Sequence, residues 1–230
     1  LLPSTLLIRR TWFDRAGLFD EGLRRYEDWE FSLRFAQAGC HIGWVREMLV
    51  SYRRHNQNMS TASDLVPVAT DAAVSFLSRF FDRDDLPENI RRLKEKAFGN
   101  LYLDAAARAY GAGLGQTGRE WLQTAVVYDP ELTTTNQPRW VIALCGYALG
   151  PLVTDWKAFI QTVAANLPSG PEFKVWDLKR LMAQVHVARA FQASFMGARG
   201  QARLSAFRAL TMNTKLLANR GLLAVGLRPW

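Results

Sequence analysis

Two adjacent carboxylates, Glu27 and Asp28, stand at the head of a strongly apolar segment in the run Arg24-Arg25-Tyr26-Glu27-Asp28-Trp29-Glu30. A carboxylate fixed at a helix start beside a cleft can act as a general base toward a hydroxyl, provided that it stays ionised and partly desolvated. The same placement suits a helix cap, because Asp and Glu oxygens accept orphan backbone N–H groups and answer the helix dipole. On spacing alone the cap is the simpler reading. Gly111-x-Gly113-x-Gly115 has no strand before it and ends one helix of a predicted hairpin, so it reads as a turn rather than a phosphate loop. Asp82-Arg83-Asp84 falls between two predicted helices and reads as a loop. His41 and His186 read as structural or solvated, and Trp121, Trp140, Trp156 and Trp176 as core.

The elements that must position the carboxylates are short. Residues 5–9 have strand composition, and Thr11-x-x-Asp14 resembles a capping box opening a short helix that Gly17 closes. A helix is predicted over 28–38, with Trp29, Leu33 and Ala36 on one face, Phe31 and Phe35 on another, and Gly39 as its stop. Two strand-type runs follow at 41–45 and 48–52, then a polar, turn-forming stretch over 53–64. Beyond residue 65 the periodicity predicts helices near 68–81, 87–112, 116–128, 138–149, 152–166, 174–197, 200–212 and 214–225. The composition shift puts a boundary near Asp64.

The fold class expected is therefore α+β but mostly α: a partial α/β segment over 1–64, then an all-α region of helical hairpins over 65–230. An internal echo at an offset of 84 pairs Ala106, Ala109, Gly113, Arg119, Ala125 and Leu132 with Ala190, Ala193, Gly197, Arg203, Ala209 and Leu216. Small residues with a glycine between them suit a helical hairpin. Together with Tyr128-Asp129-Pro130-Glu131, they resemble degenerate tetratricopeptide-type units.

Composition sets outer bounds. At 230 residues, 49% hydrophobic and 22% charged, the chain can bury one large core or two small ones, which excludes a disordered polymer. The longest apolar run, 141–153, is shorter than the roughly 20 residues a bilayer span needs. Cys40 and Cys145 lie far apart with no CxxC or Cys/His spacing, so neither a disulfide framework nor a zinc knuckle is indicated and a reducing compartment fits. The net charge of +8 is uneven: residues 170–230 hold ten basic and two acidic groups. Such a tail can face anionic headgroups, an acidic polymer or nucleic acid. The plain alternative is a solvated helical surface. No RRM, KH, zinc or helix-turn-helix signature accompanies the charge, so nucleic acid is not an expected partner.

Four pieces taken in order carry a resemblance: Pro3-Ser4-Thr5-Leu6-Leu7-Ile8-Arg9-Arg10, Gly17-Leu18-Phe19-Asp20-Glu21, Glu27-Asp28-Trp29-Glu30-Phe31-Ser32-Leu33-Arg34, and Tyr52-Arg53-Arg54-His55-Asn56. At this spacing, residues 1–62 resemble the C-terminal half of the catalytic domain of family 2 glycosyltransferases, of GT-A type. The resemblance implies that Asp28 is the catalytic base, with inversion at the anomeric carbon, and that Glu27 is its acidic partner. Trp29 would support the base or contact the sugar. His55 would lie near a divalent metal, Mg²⁺ or Mn²⁺, and the pyrophosphate, where Arg53 and Arg54 could offset leaving-group charge. Alternation along a strand would let only one of those arginines face the site.

The implied partners are a nucleotide-sugar donor and a glycan or lipid-linked acceptor of the cell envelope. The basic helices over 170–230 would hold a cytoplasmic enzyme on the inner, anionic face of the membrane. The family's nucleotide-binding half, with its Asp-x-Asp metal motif, is not among residues 1–230. The chain is therefore expected to be a piece of a longer enzyme and inactive alone. The competing expectation is a noncatalytic helical module that binds a protein, with residues 1–62 a vestigial attachment.

Overall fold

The computed structural model describes residues 5–23, 25–51, 53, 65–134 and 137–227. The chain is mostly helical and divides into two compact units, Leu1–Arg91 and Arg92–Trp230.

In the first unit an aromatic cluster joins α1 (Thr11–Ala16) to α2 (Glu27–Gln37). Phe31 and Phe35, four residues apart on one face of α2, are buried, and the Phe13 ring of α1 packs on both at 5.8 and 5.7 Å. Gly39, at φ +77°, ends α2: its amide donates to the Ala36 carbonyl while the Cys40 amide reaches Phe35, a Schellman stop. The expected capping box is not made, because α1 begins one residue early. Arg10 occupies the cap position, and no side chain accepts there.

Helix α3 (Val66–Phe81) belongs to the same unit, since Tyr26 stacks on Phe76 and its hydroxyl donates to the Ala69 carbonyl at 3.1 Å. The division between units thus falls after α4 (Glu88–Arg91), whereas the composition shift lies near Asp64. Between α3 and α4, Arg83 pairs with Asp85 at 2.6 Å inside the Asp82-Arg83-Asp84 loop region.

Of the strands expected at 5–9, 41–45 and 48–52, whose last residue Tyr52 lies outside the described residues, none is seen: among the described residues there is no strand, and the described part of 1–64 is helix and irregular chain. Ile42, Trp44, Val45 and Met48 all face solvent. Strand composition describes side chains that fit a pleated, half-buried surface. The ladder itself needs a second strand to take the N–H and C=O groups, and no described segment supplies one.

The second unit is built on a hairpin that occurs twice. The first pairs α5 (Lys94–Gly111) with α6 (Gly115–Tyr128). Between the copies come α7 (Arg139–Ala148), α8 (Trp156–Ala165) and the short α9 (Pro171–Lys174). The second hairpin pairs α10 (Leu178–Phe195) with α11 (Arg199–Met212), before α12 (Arg220–Leu227).

Both ends of every hairpin helix shift by the same 84 positions. So do the turn glycines, Gly113 at φ +77° and Gly197 at +75°, and the bonds that close them, Leu114 N–H to Ala109 and Ala198 N–H to Ala193, each 2.8 Å. Each hairpin ends in a 3₁₀ turn whose first amides meet an Asx side chain, Asp129 for Glu131 and Asn213 for Lys215, both at 3.2 Å.

Small residues let these helices close. A Cβ on Gly99 would sit 2.5 Å from the Asp129 Cβ, and one on Gly118 would meet the Tyr110 ring at 2.7 Å. In the second copy Ala202 replaces Gly118, and the facing Tyr110 becomes Ser194, so one methyl gained is matched by a ring lost. Asp129, 5% exposed, pairs with Arg139 at 2.9 Å, and Arg139 donates onward to Asn100, which ties α5, the hairpin end and α7 together. Trp140, Leu122, Ile160 and Leu181 are wholly buried in the main core. Trp121 and Trp156 are only half-buried.

His186, expected as structural or solvated, is 4% exposed, and its Nδ1 has no hydrogen-bond partner among the described residues. Burial, then the nearby charges of Arg189, Arg208 and Lys157, hold its pKa below the ordinary histidine value. The unfolded chain therefore binds more protons below about pH 6.5, and stability present above that value is lost as the pH falls. The midpoint of thermal unfolding should drop between about pH 7.5 and 5.5, and His186→Phe should flatten that slope. Gly99→Ala should lower the free energy of unfolding by about 2 kcal/mol, because Asp129 is anchored on backbone and cannot yield. Gly146→Ala, whose Cβ meets nothing within 4 Å, should raise it by about 0.5–1 kcal/mol in urea titration.

Candidate functional site

The carboxylate pair sits on the first turn of α2, and the chain enters that turn through an unusual backbone. Tyr26, at φ 63° and ψ 16°, is the non-glycine residue with a left-handed conformation among those described. This conformation costs an L-residue roughly 1–2 kcal/mol. Three contacts hold it: the hydroxyl bond to Ala69, the stack on Phe76, and an edge-on meeting with the Trp29 ring at 5.9 Å. The left-handed step turns the chain so that Glu27 and Asp28 follow directly as helix.

Asp28 is half-buried, and its Oδ1 accepts the Trp29 amide at 2.9 Å. One carboxylate oxygen thus satisfies an orphan donor of the helix start, as a capping residue would. Asp28 makes no other side-chain hydrogen bond among the described residues. Its backbone carbonyl takes the Ser32 hydroxyl at 2.7 Å. Glu27 is half-buried beside it, and Trp29 is 54% exposed.

Behind this turn, Arg34 fastens the loop 17–21 to the helix. Its guanidinium forms a bidentate pair with Glu30, at 2.5 and 2.8 Å, one turn earlier on α2. The same group donates to the carbonyls of Ala16 and Leu18, the latter at 2.6 Å. Gly17 suits this place because its φ of +79° is strained for any residue with a Cβ, which would also lie 3.1 Å from the Arg34 Nη1. Phe19 stacks on Phe31 at 4.1 Å and 11°, and the Asp20 carboxylate takes the Gly22 amide to close the loop. The motif residues therefore divide by task. Gly17, Phe19, Phe31 and Arg34 build a scaffold, while Glu27, Asp28 and Trp29 sit together at its outer end.

The remaining expected site residues are not brought into this group by anything seen. Arg53 lies exposed in irregular chain, and Arg54 and His55 lie outside the described residues. Among the described residues no three His, Cys, Asp or Glu side chains gather as cation ligands. Among them, too, no helix is long and apolar enough to cross a membrane. Two features matter that the spacing of types did not single out. The Glu30/Arg34 pair at i, i+4 was readable as a helix ion pair, but its reach to Ala16 and Leu18 was not. Nothing in the sequence signals the left-handed Tyr26.

Comparison with protein-family models, with curated proteins and with solved structures finds no match for this chain.

Arg34→Ala should free the loop, with amides 17–19 exchanging hydrogen at least about tenfold faster while those of α10 are unchanged. Arg34→Lys should not restore protection, because an ammonium cannot bridge Glu30 and two carbonyls as a planar fork does.

Proposed function

We propose that the chain is the acceptor-side portion of an inverting glycosyltransferase of family 2 and GT-A type, followed by a helical extension. The observation that carries this reading is the assembly of its motifs. The Gly17–Glu21 loop and the Glu27–Arg34 helix, which resemble that family in sequence, pack as one body through Arg34 and the Phe19/Phe31 stack. That body presents Asp28 at its outer end, with the Trp29 ring exposed beside it.

In this reading Asp28 takes the proton of an acceptor hydroxyl while that oxygen attacks the anomeric carbon. The bond from that carbon to the nucleotide diphosphate breaks, and configuration inverts. The hydrogen bond from the Trp29 amide fixes the carboxylate's orientation and leaves its second oxygen for the acceptor. Glu27 adds negative charge at the same turn, and Trp29 offers a flat apolar face to a sugar ring. A divalent Mg²⁺ or Mn²⁺ would neutralise the leaving diphosphate. Its ligands and the nucleotide pocket belong to the other half of such an enzyme, with His55 and the Arg53/Arg54 pair as the contributions from this side. The acceptor is a glycan or lipid-linked saccharide of the cell envelope.

In the full-length parent, Asp28→Asn should lower kcat by about 100- to 10,000-fold with donor binding retained. Discontinuous assay of sugar transfer from a panel of nucleotide sugars, beside calorimetric binding of UDP, measures both. Wild-type turnover by the Asn variant would remove Asp28 from the base role. The isolated chain should bind UDP and Mn²⁺ no tighter than millimolar in the same calorimeter, and micromolar binding would place the donor site here instead.

A second reading, a noncatalytic helical module that binds a protein, is favoured by the recurrence of the hairpin at an offset of 84. An Asp-x-Asp motif in the coding sequence upstream of Leu1 separates the two, since only the transferase needs it.

A further inference from the structure

The two hairpins share a backbone geometry but not an exterior. On α11, Ala202, Ser205, Ala206 and Ala209 face inward and are buried. At 3.6 residues per turn, the outward arc then runs from Arg199 and Arg203 on one flank, through Leu204 and Phe207, to Arg208 on the other. Leu204 is 50% and Phe207 65% exposed. The turn leading into α11 adds Phe195, 94% exposed, and Met196, 71%.

The first copy supplies an internal control. Glu120, Gln123 and Thr124 occupy the positions of Leu204, Phe207 and Arg208, and with Arg119 they line an open polar groove of about 650 Å³ bordered by residues 168–170. Gly111 and Ala112 stand where the second copy has Phe195 and Met196. Inward packing does not account for the change, because Leu204, Phe207 and Phe195 stay largely exposed. Charge indicates what the altered face meets: residues 178–227 carry eight basic groups and no acidic one.

We propose that the outward face of α11, with the α10–α11 turn, docks on an anionic lipid surface. Phe195, Leu204 and Phe207 enter the headgroup boundary while the arginine stems lie along the apolar strip and their guanidinium groups meet lipid phosphates. A bilayer suits this face better than a protein groove does, because its cations lie on both flanks of the apolar strip and no acid within the segment selects a partner's cation. The proposal stands independently of the transferase reading, since it concerns the second unit alone.

Sedimentation of the chain with vesicles tests it, using phosphatidylcholine alone and phosphatidylcholine with about 30 mol % phosphatidylglycerol at about 0.1 M salt. The chain should pellet with the anionic vesicles, only weakly with the neutral ones, and less at about 0.5 M salt. Exchanging the first copy's residues into the second, Leu204→Glu with Phe207→Gln, should weaken binding about tenfold or more. Phe195→Ser should weaken it in the same direction. All these side chains are exposed, so the circular-dichroism melting curves should coincide with wild type. Equal binding to both vesicle types, absence of binding, or variants that bind like wild type would each overturn the proposal. A dimer in light scattering that the double variant abolishes, without lipid binding, would overturn it in favour of a second copy as the occupant.

Discussion

The first unit depends on one guanidinium. Arg34 closes four oxygen acceptors at once, two on the Glu30 carboxylate and two on the carbonyls of Ala16 and Leu18, and without it the loop over 17–21 would be joined to α2 by little beyond the Phe19/Phe31 stack. A planar fork suits this task because its donors point in fixed, divergent directions, so positioning one acceptor positions the others. The arrangement in turn favours Gly17, whose missing Cβ leaves room for the fork and whose positive φ aims the carbonyls at it. The carboxylate at position 28 inherits its setting from this scaffold and from the left-handed Tyr26.

A different constraint governs the second unit, where the same hairpin is built twice from unlike residues. What recurs is backbone geometry: helix lengths, a left-handed glycine, the amide pair that closes each turn, and an Asx side chain at the end. The inward volumes are balanced locally, Gly118 against Tyr110 in one copy and Ala202 against Ser194 in the other. Such balance leaves the outward faces free to diverge, and they do, one toward a polar groove and the other toward exposed aromatics flanked by arginine. Division of labour between a recurring backbone and a variable exterior is what repeat architectures generally permit.

Much of this was legible beforehand. The eight helices expected beyond residue 65 lie close to those observed, because each rests on hydrogen bonds between residues four apart and on stop signals a few positions away. Gly39, Gly113 and Gly197 all end helices with positive φ, as their places after periodic apolar runs suggest. The strands expected over 5–9, 41–45 and 48–52 are not found among the described residues for the converse reason: a strand is defined by its neighbour, and composition cannot summon one.

For the site, sequence order gathered Glu27, Asp28 and Trp29 at one helix start, and the glycine at 17 marked a turn. The amino-acid sequence by itself therefore determined which stretches beyond residue 65 are helical, the 84-residue echo, the basic tail, and the candidate carboxylates. Tertiary structure alone decided that Tyr26 adopts a left-handed backbone under the hold of α3, that Arg34 spends its donors on distant carbonyls, and that Asp28 gives one oxygen to its own helix. Local hydrogen bonding is encoded within a few residues, whereas the partner of a side chain is chosen by whatever the folded chain brings within about 3 Å of it.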